Sequence, residues 1–323
     1  MTRRILVTGG AGFIGSAYVL HMLGPEGPPD VSVTVLDTLT YAGNLTHLEP
    51  LRDDPRFRFV RGSVDDPRMV GQVVRGHHEI VHFAAESHVD RSIEDGSPFV
   101  RTNVLGTQIL LDAALRHEVT TFVQISTDEV YGSIPTGAAT EEDQLRPTSP
   151  YAASKAAADL MGLSYHRTHG LDVRVTRCSN NFGPRQHPEK LIPRFVTALL
   201  AGDDVPLYGD GSQIRDWLHV DDHVYAIELV RTGGRAGRVY NIGGGTELTN
   251  LRLTHHVLAL CGAGAERVTH VTDRKGHDLR YAVDDTRIRR ELGYRPRTDF
   301  GQGLADTVRW YEDDHAATSA RTG

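Results

Sequence analysis

The chain has 323 residues, enough for one large domain or two unequal ones with ample core material, and its 39% hydrophobic and 24% charged composition is that of an ordinary globular protein. Lys plus Arg number 35 against 42 Asp plus Glu, a formal charge of −7, which argues against a general binder of nucleic acid or of anionic membrane. Any anionic ligand must be held by local positive groups.

Two cysteines, Cys178 and Cys261, are too few for a disulfide framework or a zinc site. They read as inert buried thiols of a reducing cytoplasm, and no metal is expected. No apolar run approaches the roughly 20 residues of a membrane span. The start, Met1-Thr2-Arg3-Arg4, runs straight into a strand-like segment and leaves no room for a signal peptide.

Arg4 to Thr8 is a short apolar run, followed at once by Gly9-Gly10-Ala11-Gly12-Phe13-Ile14-Gly15 and then by helix-compatible residues from Ser16 to Leu23, stopping at Gly24-Pro25. Strand, glycine turn and helix in that order let a backbone pass close to a pyrophosphate and aim a helix N-terminus at its charge. A second strand, Val31 to Leu36, ends in Asp37, which lies 22 residues beyond Gly15. A carboxylate there can accept from both ribose hydroxyls of an adenosine and repels a 2′-phosphate, so NAD is expected rather than NADP.

Arg58-Phe59-Val60 and Glu79 to Phe83 read as the third and fourth strands, with a helical stretch from Pro67 to Arg75 between them. Such alternation implies a parallel sheet covered on both faces, with ligands at the carboxyl ends of its strands. The polar segment Ala84-Ala85-Glu86-Ser87-His88-Val89-Asp90-Arg91-Ser92 falls at one such end. A helix from Pro98 to His117 follows, and then a fifth strand, Thr121 to Ile125. That strand delivers Ser126-Thr127-Asp128-Glu129-Val130-Tyr131-Gly132, whose adjacent carboxylates alone would read as a solvated loop.

After a loop marked by Pro135, Gly137, Pro147 and Pro150, a helix runs from Tyr151 to Gly170, placing Tyr151 and Lys155 on one face. An ammonium beside a phenol, with a nicotinamide cation close by, favours the phenolate, lowering the tyrosine pKa and making it a base for a sugar hydroxyl. Val173 to Arg177 is the sixth strand, and the turn-rich Cys178 to Pro184 leaves the sheet. Glu189 to Pro193 leads into an amphipathic helix through Leu200, and Pro206 to Gly211 is a turn-bounded strand. Asn241 to Gly245 lacks a helix-opening GKS or GKT and reads as a loop. Asp273 to His277 concentrates donors, and the tail after Tyr311 is polar and reads as a mobile end.

Gly9 to Gly15 with Tyr151 and Lys155 resembles the extended short-chain dehydrogenase/reductase superfamily. Within it, "STDEVYG", "AAESHVDRSI", "SNNFGP", "HPEKLIP" and "DRKGHDLRY" resemble the nucleotide-diphosphate-glucose 4,6-dehydratases of the dTDP-D-glucose type, over Arg4 to about Tyr311. The resemblance implies an α/β fold with a Rossmann-type doubly wound parallel sheet over 1–178. It adds a smaller α/β sugar-nucleotide domain over 179–323, with a segment near 214–240 crossing back.

Its implied NAD site comprises Gly9, Gly12, Phe13, Ile14 and Gly15; Asp37 and Thr40; Ser63 and Val64; Phe83, Ala84 and Ala85; and Thr102, Tyr151, Lys155 and, on the nicotinamide side, Asn181. The implied substrate, dTDP-glucose, meets Ser87, Thr127, Asn180, Lys190, Leu191, Pro206 and Tyr208. Arg215 and Arg274 bind its pyrophosphate, while Asn250 and His277 help fix nucleotide and sugar. In the implied reaction Tyr151 takes the 4-hydroxyl proton and Thr127 orients that hydroxyl. Glu129 takes the carbon-5 proton and Asp128, holding its own proton near neutrality, protonates the departing 6-hydroxyl.

Superfamily epimerases and decarboxylases share the glycine turn, Tyr151 and Lys155 but have no need of the carboxyl pair; the nucleobase, thymine or uracil, is left open. Ser63 departs from the family pattern, which carries an acidic residue there against the adenine amino group. Either adenine anchoring is weaker or Asp65 substitutes. A homodimer through two helices per subunit is a further implication, permitted by apolar faces near Val100 to Leu115 and Ala153 to Leu163.

Overall fold

The computed structural model describes residues 2–322. In its first half, β1 (Arg3–Thr8), α1 (Phe13–Leu23), β2 (Val31–Asp37), β3 (Phe57–Arg61), α2 (Pro67–Val74) and β4 (Glu79–His82) alternate as the sequence predicts. Then come α3 (Val89–Glu94) and α4 (Ser97–Phe99), whose chain continues through a π-helical segment, Val100–Leu105, into α5 (Gly106–Arg116). The single helix expected from Pro98 to His117 is thus widened by a π segment, a device that recurs at functional sites.

Next are β5 (Thr121–Thr127), a 3₁₀ turn at Asp128–Tyr131, α6 (Pro150–His169), β6 (Val173–Cys178), β7 (Asn180–Phe182), α7 (Leu191–Leu200), β8 (Val205–Tyr208) and β9 (Ile214–His219). The chain closes with α8 (Val220–Gly233), β10 (Val239–Ile242), β11 (Glu247–Thr249), α9 (Asn250–Leu260), β12 (Val268–Val271), α10 (Thr286–Leu292) and α11 (Phe300–Thr322).

Seven strands form one sheet in the order β10-β6-β5-β4-β1-β2-β3, all parallel. Period-2 alternation divides their side chains between two apolar layers. Ile5, Val7, Val33, Val35, Val123 and Ile125 pack with Tyr18 and Met22 of α1 and Ile227 and Val230 of α8 on one face. Leu6, Leu36, Ile80, Phe122, Val173 and Val175 meet Val70 of α2 and Leu110 and Leu111 of α5 on the other. Each such fully buried aliphatic side chain contributes about 1.5–3 kcal/mol, so the sheet is a stiff frame for its carboxyl edge. A third apolar cluster, with Phe182, Phe195, Trp217, Leu253 and Tyr311, holds the smaller sheets β11-β9-β7 and β12-β8 against α7, α9 and α11.

Several local expectations change. The segment after Cys178 does not merely leave the sheet: Asn180–Phe182 pairs with β9 as a strand. Asn241 and Ile242, read as loop, complete the large sheet as part of β10, where both are fully buried, and only Gly243 to Gly245 turn. A Cβ on Gly244 would lie 1.9 Å from the Trp217 carbonyl oxygen, so packing, not phosphate binding, accounts for glycine there. After Tyr311 the chain continues α11 to Thr322. Cys178 is buried, whereas Cys261 is half-buried; burial pushes their thiols up to about 12 and about 11 respectively.

Candidate active site

Because the strands are parallel, Gly9 after β1, Asp37 ending β2, Phe83 after β4, Thr127 ending β5 and Cys178 ending β6 share one edge of the sheet. The glycine turn is shaped by contact. Gly9 has φ +70°, and a Cβ on it would sit 2.5 Å from the Ala84 nitrogen; one on Gly15 would sit 2.2 Å from the Gly9 carbonyl oxygen. Helix α1 starts at Gly12 with neither a side-chain cap nor an acidic residue in its first turn. Its N-terminal end lines a cavity of about 330 Å³ and suits an anion there. Every residue assigned to NAD above lines this cavity, as do Ser87 and Thr127.

Asp37 does more than the sequence suggests. Its two oxygens accept from the backbone N–H of Ala11 (2.9 Å) and of Leu39 (2.8 Å), so the carboxylate also ties β2 to the glycine turn. Ser63 lines the cavity, whereas Asp65 stands behind it and accepts the Ser63 hydroxyl.

An adjoining cavity of about 150 Å³ is lined by Leu191, Pro206, Tyr208, Arg215, Asn250, Arg274 and His277. Glu129, Asn180 and Lys190 line both cavities and mark their junction. Asn180 Oδ1, Asn250 Oδ1 and Asp128 Oδ2 are buried with no hydrogen-bond partner. Buried polar atoms are nearly always paired, so atoms of this kind at these walls fit polar ligands in both spaces.

The carboxyl pair is held by its own backbone, and it is not a solvated loop. Thr127 Oγ1 accepts from the Glu129 N–H at 3.3 Å and caps the 3₁₀ turn, which Gly132 ends at φ +73°. A Cβ on Gly132 would meet the Arg146 carbonyl oxygen at 2.3 Å. The Thr127 hydroxyl also reaches Asp128 Oδ1 at 3.2 Å. Burial raises the Asp128 carboxyl well above its ordinary range, and the neighbouring Glu129 and Asp216 charges add to the rise while Arg215 opposes it. Burial raises Glu129 as well, but Lys190, Arg215 and Arg274 draw it back. The two carboxyls share Arg215 but differ in the rest of their company: Glu129 and Asp216 add to the rise at Asp128, while Lys190 and Arg274 oppose it at Glu129, where Asp278 adds to it.

Helix α6 carries the phenol and the ammonium. Ser149 Oγ accepts the Ala152 N–H at 3.1 Å, Pro150 occupies the first turn, and Gly170 ends the helix at φ +74°. Tyr151 and Lys155 are both buried, and Lys155 Nζ donates to the Ile125 carbonyl at 2.5 Å, fixing the helix to β5. The expected lowering of the tyrosine is not a property of the chain by itself. Burial raises Tyr151 well above its usual value, and Glu129, Cys178 and Asp128 raise it further, while Thr127 opposes. Burial also lowers Lys155. A further positive charge is what would bring the phenol down.

In the second cavity the Arg215 guanidinium lies 4.2 Å from the Tyr281 ring centroid and donates to the Asp278 carbonyl at 3.0 Å. Arg274 is paired with Asp90, and His277 with Asp273 at 2.7 Å. Sequence reasoning passed over Asp90, Tyr281 and Cys178 as site residues. Each lay within or next to a segment already singled out, and Cys178 ends a strand on the ligand edge.

The GDP-mannose 4,6 dehydratase family model matches residues 6–307. The chain is 64% identical over 312 residues to a dTDP-glucose 4,6-dehydratase of Streptomyces griseus, covering 96% of this chain and 94% of the relative. Among solved structures it resembles the dTDP-glucose 4,6-dehydratase DesIV of Streptomyces venezuelae with NAD and TYD bound: TM-score 0.95, 58% identity, 97% of this chain and 98% of that one. A UDP-glucose 4-epimerase of Thermotoga maritima with UDP-glucose matches at TM-score 0.89 and 29% identity, over 97% and 99%.

Proposed function

The chain belongs to the nucleotide-sugar 4,6-dehydratase family of the extended short-chain dehydrogenase/reductases, and on that premise we propose that it converts dTDP-D-glucose to dTDP-4-keto-6-deoxy-D-glucose and water. It is an NAD-dependent hydro-lyase. The observation that carries this reading is the adjacent Asp128 and Glu129 carboxyls on the cavity walls: Asp128 is buried and raised well above its ordinary range, while Glu129 is half-buried where the two cavities meet and is drawn back by Lys190, Arg215 and Arg274. An elimination requires one acid and one base, and carboxyls with unlike surroundings supply both.

NAD, which the glycine turn, Asp37 and the other residues of the first cavity would hold, would supply a hydride acceptor for sugar carbon 4 and the hydride for carbon 6. Tyr151 takes the proton of the 4-hydroxyl, which the Thr127 hydroxyl orients. The ketone so formed acidifies carbon 5, and Glu129 removes that proton. Asp128 donates its proton to the departing 6-hydroxyl, and water leaves. Glu129 then returns its proton to carbon 5. Lys155, anchored to β5 through the Ile125 carbonyl, shares the buried face of α6 with the phenol, while Lys190, Arg215 and Arg274 supply the local positive charge that the chain's overall charge does not.

We further divide the chain near Cys178 into an NAD-binding and a sugar-nucleotide domain, with the 214–240 segment returning. The packing of Val224, Ile227 and Val230 against the first apolar layer supports this. Val100, Leu105 and Leu160 are 59%, 45% and 59% exposed, which supports a homodimer built on α5 and α6; Leu160→Glu should then give a monomer by light scattering, and an unaltered mass would exclude that surface. Both cysteines are free thiols, as suits the cytoplasm, and among the described residues no helix is long and apolar enough to cross a membrane.

The deciding experiment is incubation of the purified protein with dTDP-glucose and, separately, UDP-glucose, followed by alkali and measurement of 4-keto-sugar absorbance. Product from dTDP-glucose is expected. No keto product from either nucleotide defeats the dehydratase reading.

A further inference from the structure

The second cavity contains more negative charge than an anion site needs. Lys190, Arg194, Arg215 and Arg274 line it, but so do four carboxylates. Three of these have other company. Glu129 faces Lys190, Glu189 is paired with Arg91, and Asp278 accepts from the hydroxyls of Thr148 and Tyr281. The fourth, Asp90 at the start of α3, is spent on an arginine assigned to the pyrophosphate.

The contact is an ion pair with one hydrogen bond. Arg274 Nη2 donates to Asp90 Oδ2 at 3.0 Å, while Nε lies 2.5 Å from Asp90 Oδ1 without the alignment of a hydrogen bond. A guanidinium has five N–H donors, so the Nη1 side is left for a ligand. The Tyr208 ring, its centroid 5.5 Å from the guanidinium carbon, supports the group from another direction. The arginine is thereby held in place, but its charge is already matched by Asp90, and an uncancelled carboxylate would remain beside any anion that displaced it.

We propose that Asp90 sets the charge selectivity of the second cavity, so that a sugar-nucleotide diester, with one negative charge on each phosphate, is accepted in preference to a free nucleoside diphosphate bearing an additional terminal charge. This rests on the sugar-nucleotide reading above. A terminal phosphate monoester loses its second proton near pH 6, so at neutral pH it meets Asp90 with nearly one more unit of like charge than a diester does. The residue is a positioning and specificity group; it performs no chemical step.

The test compares wild type with Asp90→Asn, which keeps an oxygen acceptor for Arg274 but removes the charge, and with Asp90→Ser as a second variant should the first fold poorly. The inhibition constant of dTDP and the KM and kcat of dTDP-glucose are measured for each at low and at moderate salt. Removing the unit charge beside the guanidinium assigned to the pyrophosphate should lower the dTDP inhibition constant about three- to tenfold more than it changes the dTDP-glucose KM. The wild-type preference for the diester should shrink as salt rises, and the variant's should be nearly flat. A change of equal factor for dTDP and dTDP-glucose would overturn the proposal, because it would mean that Asp90 only holds Arg274 in place. Wild-type protein that binds neither compound would instead fail the sugar-nucleotide reading, and the proposal with it.

Discussion

Asp128 and Glu129 are consecutive in the chain and share Arg215, yet the rest of their surroundings differ: Asp128 lies near Glu129 and Asp216, while Glu129 lies near Lys190 and Arg274 as well as Asp278. The cations favour ionised Glu129, the form able to remove a proton from carbon. Glu129→Gln keeps the size and the hydrogen-bonding capacity but not the basicity. It should still show reduced-nicotinamide absorbance on mixing with dTDP-glucose, since Tyr151 is untouched, while formation of the dehydrated 4-keto-6-deoxy sugar falls about a hundred- to ten-thousandfold. Normal turnover would remove Glu129 from the role of base.

Asp128 gives a prediction about stability. Its folded-state pKa is raised, chiefly by burial, so the folded protein favours the protonated form more than the unfolded chain does. The stabilisation is full below the ordinary carboxyl pKa of about 4 and is lost as pH rises towards the raised value. Asp128→Asn removes this dependence. Thermal melts of both proteins between mildly acidic and neutral pH should show the variant gaining on wild type as pH increases, with little elimination activity left. A stability difference that is flat with pH would contradict the shift.

Much of this site is legible in the sequence because parallel strands with short apolar runs fix where loops emerge. The glycine turn, Asp37, "STDEVYG" and the Tyr151–Lys155 spacing each follow or flank a recognisable element, so topology alone brings them to one edge. The surroundings are less legible. That the carboxyls lie in a buried 3₁₀ turn depends on Gly132 packing against Arg146, a contact with no local pattern. That Tyr151 is raised follows from burial beside Asp128, Glu129 and Cys178, residues from two other strand ends. Asn180–Phe182 reads as turn because Asn180-Asn181 is followed by Gly183-Pro184, and only pairing with β9 makes it a strand.

At the adenine end, the Ser63 hydroxyl is directed to Asp65, so the acidic group stands one shell back from the cavity wall that Ser63 lines. Ser63→Asp would put a carboxylate at that wall. The variant should retain more NAD through purification than wild type, measured as nicotinamide content per chain after gel filtration. Retention no higher than wild type would show that adenine anchoring does not depend on this position.

Behind the catalytic turn lies a buried ion pair. Arg177 of β6 meets Asp159 at 2.9 Å, with side chains 3% and 0% exposed, and Arg177 also donates to the Tyr131 hydroxyl at 2.8 Å. Tyr131 belongs to the 3₁₀ turn that carries Asp128 and Glu129, and its own hydroxyl donates to Asn241 Oδ1 at 2.8 Å. Asp159 is two helical turns beyond Tyr151 on the same buried face of α6. Arg177→Met strands Asp159 without a counter-charge and should cost about 3–5 kcal/mol in urea unfolding. Replacing both partners, Arg177→Met with Asp159→Leu, removes the stranded charge and should restore most of that stability. It does not restore the Tyr131 contact, so kcat should stay below wild type in the double variant even where its unfolding midpoint has recovered. Stability and kcat returning together would show the pair to be a matter of stability alone.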